Sequence, residues 1–169
     1  MSYGRDITTK ADIAKGTILA GFLSAIVKFG WEVPFPPRTP ARDVTNPPQE
    51  LLQQLGIPEK ITHLTYIYND NARPFVSFIV HFGFAFFFSW LYLWLAKRTR
   101  VITWGAGALY GIAIYVLFHI IIMPLMGTVP MPWDQPWEEH ISELFGHIVW
   151  AWSIELVRVY IQKKSRAVY

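Results

Sequence analysis

Apolar residues gather into four long runs, at about 13–33, 74–96, 101–126 and 141–161, separated by proline-rich, polar or charged segments. Each run is close to the ~20 residues with which an α-helix, rising ~1.5 Å per residue, crosses ~30 Å of hydrocarbon. The pattern predicts an all-α membrane protein with four transmembrane helices in a single integral domain spanning 1–169. Within the runs, small and polar residues recur at four-residue spacing. They are Gly16, Ala20, Ser24, Lys28 and Glu32; Ser77, His81, Ala85 and Ser89; Gly107, Gly111, Tyr115 and His119; and Glu143, His147, Ala151 and Glu155. Small residues four apart let helix backbones approach, so these stripes mark the inward faces. Phe78, Phe82, Phe84, Phe86, Phe87 and Phe88 occupy the other faces of the second run, where they are expected to meet lipid.

The segments between the runs fall into two kinds. All twelve prolines lie in one kind or at the run ends next to it, which are the insert 35–73 and the loop 127–140. In the insert, Asn46 reads as an N-cap, Pro47 as the first helical residue and Gly56 as the stop of a short amphipathic helix. That much proline predicts a folded cap. The other kind is basic: Arg5, Lys10 and Lys15; Lys97, Arg98 and Arg100; and Arg158, Lys163, Lys164 and Arg166. By the positive-inside rule both termini are cytoplasmic and the cap is periplasmic. Trp31, Trp133 and Trp137 at the outer interface, with Trp90, Trp94 and Trp104 at the inner one, agree with this placement.

Composition narrows the class further. With 53% hydrophobic and 17% aromatic residues in 169, the chain carries more apolar surface than a small soluble core would bury. A formal charge of +3, with its basic residues at membrane edges, gives no nucleic-acid footprint. The absence of cysteine excludes disulfides, thiolate metal sites, cysteine nucleophiles and covalently attached haem. No nucleophile–base pair, phosphate loop or zincin spacing appears, so the chain is not expected to be an enzyme.

Four ionisable residues share one depth. Counted inward at ~1.5 Å per residue, Lys28, His81, His119 and His147 each lie ~10 Å from the same predicted membrane face, and Glu32 and Glu143 lie one turn nearer to it. An ionisable side chain in hydrocarbon costs several kcal/mol, so such a layer is expected to face the bundle interior and to mark a site. Histidines open to the outer face would take up protons, giving a proton or ion pathway that needs no cofactor. His81, His119, His147 and Glu143 are alternatively candidate metal ligands, and two of the histidines could clamp a b-type haem with room left by Gly107 and Gly111. A structural or accessory subunit is the third class. Glu155 and Arg158 are expected to form an ion pair near the inner end, and His63 and His140 to be surface residues. Beyond the lipid bilayer and protons or small ions, the expected partner is a second copy of the chain. Four spans are few for a monomeric carrier, and the Gly107/Gly111 face is one candidate contact.

Three blocks carry a resemblance. They are Gly21-Phe-Leu-Ser-Ala-Ile-Val-Lys28-Phe-Gly-Trp-Glu32-Val-Pro-Phe-Pro-Pro-Arg38, Pro124-Leu-Met-Gly-Thr-Val-Pro130 and Ile141-Ser-Glu-Leu-Phe-Gly-His147-Ile-Val-Trp-Ala-Trp-Ser-Ile-Glu155. Together they resemble the YagU family of bacterial inner-membrane proteins, from about Gly16 to Arg158. The resemblance implies an integral inner-membrane protein associated with tolerance of acid, and brings no mechanism, cofactor or catalytic residue. Lys28, Glu32, Arg38, Glu143, His147 and Glu155 stand at its motif positions.

Overall fold

The computed structural model describes residues 9–38 and 46–167, the side chains of 166 and 167 excepted. Arg5, Pro40 and the side chain of Arg166 lie outside this description. Among the described residues, four helices are long and apolar enough to cross a membrane: Lys10–Glu32, Phe75–Ala96, Ala108–Leu125 and Trp137–Ser165. The first, α1 (Lys10–Glu32), begins at Thr9, whose hydroxyl accepts the amide of Asp12 at 3.0 Å. This satisfies one of the donors that a helix start leaves without a partner.

The insert holds more structure than its sequence predicts. The expected short helix is present as α2 (Pro47–Gln54), with a capping box in which the side chains of Asn46 and Gln49 each accept the other's backbone amide. Gly56, at φ +89°, ends it by giving the chain a left-handed residue after the last turn. A short α3 (Glu59–Thr62) follows, and then a hairpin of β1 (Thr65–Tyr68) and β2 (Asn71–Pro74), paired antiparallel. The hairpin turns on Asn69 and Asp70, both left-handed. These residue types tolerate the paired positive φ of a two-residue turn, although no glycine announces it. Buried Gln49 and Thr62 tie α2 to α3, and Ser77 ties α4 (Phe75–Ala96) to Asn46 at 2.8 Å.

Past α4 the chain turns through a 3-10 segment, Arg100–Thr103. The expectation of a third span from 101 is corrected here: Gly105, Ala106 and Gly107 all have positive φ, which a right-handed helix cannot hold, so α5 (Ala108–Tyr115) starts seven residues later. Val116–Ile122 then widens into a π-helix and α6 (Met123–Leu125) closes the span. Pro124 explains the widening, since its ring clashes with a carbonyl four residues back and it has no amide to donate. Met123 accordingly donates to Phe118, five residues back. The last helix, α7 (Trp137–Ala167), continues past both ends of the predicted span.

α1 packs against both α4 and α7, and α7 packs against α5. Aromatic contacts close the ring of helices between α4 and α5. Phe118 meets Phe84 and Phe88 edge-on at 5.1 and 5.4 Å, and Tyr110 donates to the Phe88 carbonyl at 2.9 Å. This corrects the expected lipid-facing phenylalanines: of the six, Phe87 is exposed, Phe88 is buried and the others are half-buried against neighbouring rings. Edge-on aromatic pairs are worth ~0.5–1.5 kcal/mol beyond the area they bury. The glycine stripe of α5 also has an owner within the chain. A Cβ at Gly111 would overlap the His147 carbonyl oxygen and come within 3.1 Å of Ala151, and Gly107 lies against the Ala151 carbonyl. The Gly107/Gly111 face therefore receives α7 of its own chain and is not free to contact a second copy.

Candidate functional site

Each helix of the bundle delivers polar side chains to one place. Lys28, Glu32, His81, His119, Glu143 and His147 all line a single cavity of about 420 Å³ under α2, between α4 and the α5–α6 end. Its other walls are mostly apolar or aromatic, with Phe29, Phe84, Phe118, Ile122, Met123 and Trp150 among them, and Asn46, Ser77 and Thr128 add polar groups. At the buried end stands Glu143. Its Oε2 accepts Lys28 Nζ at 2.9 Å and has His119 Nε2 at 3.5 Å and His147 Nδ1 at 3.6 Å, while Arg38 Nη1 is 3.5 Å from its Oε1. Lys28 also donates to Glu32 at 2.8 Å, so one ammonium bridges a carboxylate on its own helix and one on α7. Arg38, which the sequence offers only as a motif position, thus belongs to the same cluster. Its position just after Pro36-Pro37, at the outer end of α1, was the available signal.

Hydrogen bonds to backbone carbonyls set the form of two histidines. A carbonyl only accepts, so His147 Nδ1, 2.8 Å from the Glu143 carbonyl, carries a proton, as does His81 Nε2, 3.2 Å from the Ala25 carbonyl. In the neutral ring the second nitrogen of each, Nε2 of His147 and Nδ1 of His81, is then an acceptor. His81 stacks on Phe29 at 3.9 Å. His119 and His147 touch in a T-shaped pair with centroids 4.8 Å apart.

The metal-ligand candidates separate accordingly. Ligand atoms of His119, Glu143 and His147 lie within 4.8 Å of one another, and His81 is not part of that group. Lys28 already holds the Glu143 oxygen that a cation would take, so metal binding there requires the ammonium to move aside. The direct contact of His119 with His147 leaves no space for a porphyrin between them, and Gly107 and Gly111, filled by α7, leave none either.

Three further groups lie outside the cavity. His140 is a half-buried bridge and not the surface residue expected, because its Nε2 donates to the Pro132 carbonyl at 2.8 Å and its Nδ1 lies 3.0 Å from the Tyr115 hydroxyl. Trp31 donates to the Ser142 carbonyl at 3.0 Å and Ser142 to that of Phe35, which fastens the end of α1 to the start of α7. Toward the opposite end, Arg158 meets Glu155 through two nitrogens at 2.6 and 2.7 Å, and Tyr92 donates to the same carboxylate at 2.8 Å. Ala20, Phe88, Tyr110, Trp150, Ala151 and Ile154, all buried, belong to the core that separates this group from Glu143.

No solved structure matches the chain. The chain is 34% identical to the inner membrane protein YagU of Escherichia coli (strain K12) over 164 residues, covering 83% of this chain and 79% of that protein. A family model described as a protein of unknown function, DUF1440, matches residues 22–156, which include the whole Lys28–Glu143 cluster and stop short of Arg158. With that match over most of its length, a relative in the inner membrane and four helices able to span it, the chain belongs to the DUF1440 family and is an inner-membrane protein.

Proposed function

We propose that this protein takes up protons from the periplasmic side into the membrane-embedded cluster around Glu143, as part of a response to acid. The observation that carries the reading is the convergence on Glu143 of Lys28, Arg38, His119 and His147 at the end of a cavity. Among the described residues, Lys28 and Arg38 balance Glu32 and Glu143 when the histidines are neutral. A proton added to either histidine is then an unbalanced charge in a low-dielectric site, where its effect on the neighbours is large. The buried aromatic and aliphatic core beyond the cluster favours binding over conduction. Orientation rests on the positive-inside rule, and the described members of the cluster all come from one chain.

The test is proton uptake by protein in nanodiscs as pH is lowered from about 7 to about 5, the range in which unperturbed histidine titrates. The expected result is uptake in the wild type that falls in His119→Gln and in His147→Gln. Equal uptake by all three proteins would remove the cluster as the acceptor. A second reading, a divalent metal on His119, Glu143 and His147, is favoured by their mutual spacing. A stoichiometric metal that follows the protein through gentle purification and is lost in His119→Gln would put it first.

A further inference from the structure

The cavity is far larger than a proton acceptor needs. At about 420 Å³ it falls in the range of small-molecule sites, which are mostly apolar with a few convergent polar groups. Its polar end has a particular hydrogen-bonding character. The Glu143 and Ala25 carbonyls fix the protons of His147 and His81, which leaves each ring an acceptor nitrogen. Lys28 and Arg38 supply donors beside them. A ligand head that both donates and accepts, and that reaches a charge-balanced cluster without bringing net charge, matches this set. Most of the remaining wall is apolar, with Phe29, Phe84, Phe118, Ile122 and Met123 outweighing the polar Asn46, Ser77 and Thr128, and it suits an aliphatic tail.

We infer that the cavity binds a monocarboxylic acid with an aliphatic tail, entering as the neutral acid with its carboxyl at the histidine end and its tail along Phe84, Phe118 and Met123. On binding, the acid O–H bond breaks, the proton passes to Nε2 of His147, and the electron pair stays on the carboxylate beside Lys28 and Arg38. The imidazolium and the carboxylate cancel, so the step is electroneutral. An amine head would add a cation to the cluster, and a permanently charged head would leave its charge without a counter-charge. The inference deepens the proposed function, on which it rests for the histidine as proton acceptor.

The experiment measures binding of carboxyl-labelled octanoic acid to the full chain in nanodiscs, with empty nanodiscs as the blank. The arms are propionic acid, which separates a water-borne short acid from a bilayer-derived long one, and octylamine, which has the same tail with a cationic head. Saturable binding of octanoic acid is expected, at least tenfold tighter than octylamine. Affinity should rise about fourfold per added methylene from propionic acid upward, as for burial of each CH₂. Met123→Trp, which fills the tail end, should weaken octanoic acid at least tenfold. No saturable binding to the wild type, or equal binding of octylamine, overturns the inference whatever the variant does. Proton uptake by the wild type without added acid reads the proposed function separately, so either can fail while the other stands.

Discussion

Lys28 and Glu143 show how one buried pair can depend on more than its own geometry. Lys28 is 7% exposed and holds two carboxylates, whereas Glu32 keeps a quarter of its side chain in contact with solvent and has one described partner in Lys28. Removing one partner of a buried ion pair costs about 3–5 kcal/mol, because the other charge stays behind, while a more exposed pair is worth under about 1 kcal/mol. Lys28→Met should therefore destabilise the protein by about 3–5 kcal/mol and Glu32→Gln by under about 1 kcal/mol. Lys28→Met combined with Glu143→Met should recover part of the loss, since it removes both buried charges together. Unfolding in mixed micelles titrated with denaturing detergent measures all three. Equal losses from Lys28→Met and Glu32→Gln would mean that the cluster is as solvated as its outer edge.

At the level of elements, the four-residue stripes were legible and their partners were not. Ala20, Ser24 and Lys28 in α1 and Ala85 and Ser89 in α4 are buried as their spacing implies. Gly107 and Gly111 do admit a close backbone, but spacing says only that something approaches, and here it is α7 of the same chain. The phenylalanines of α4 failed for a related reason: in a membrane both the core and the lipid are apolar, so hydrophobicity alone cannot tell an inward ring from an outward one. Gly111→Ala forces its Cβ onto backbone that cannot rotate away, and overpacking of that kind costs about 1–3 kcal/mol. At Gly30 an added Cβ meets nothing within 4 Å, and alanine is the better helix former by about 0.5–1 kcal/mol. The expected result in the same unfolding assay is a loss for Gly111→Ala and no loss, or a gain, for Gly30→Ala. A matched response would mean that α5 and α7 are not in contact at this point.

For the molecule as a whole, counting depth along each run brought Lys28, His81, His119 and His147 to one level. All four line the same cavity. Which of them would touch was not legible, since contact depends on how each helix is rotated, and a count along the axis carries no angle. The sidedness of the bundle is a separate matter that depends on charge distribution. The candidate spans among the described residues number four, so crossing by all of them puts the start of α1 and the end of α7 on one side and the insert on the other, and two probes are enough to fix the orientation. The chain has no cysteine, and each introduced cysteine is therefore the sole thiol. Lys60, exposed in α3 of the insert, and Lys164, exposed near the end of α7, are suitable positions. The basic segments at the α7 end are those that the positive-inside rule retains in the cytoplasm. In spheroplasts, Lys60→Cys should react with a membrane-impermeant maleimide at once, and Lys164→Cys only after the membrane is permeabilised. The reverse pattern would turn the cavity's α2 side toward the cytoplasm, and proton uptake from the periplasm could then no longer reach Glu143 by way of the cap.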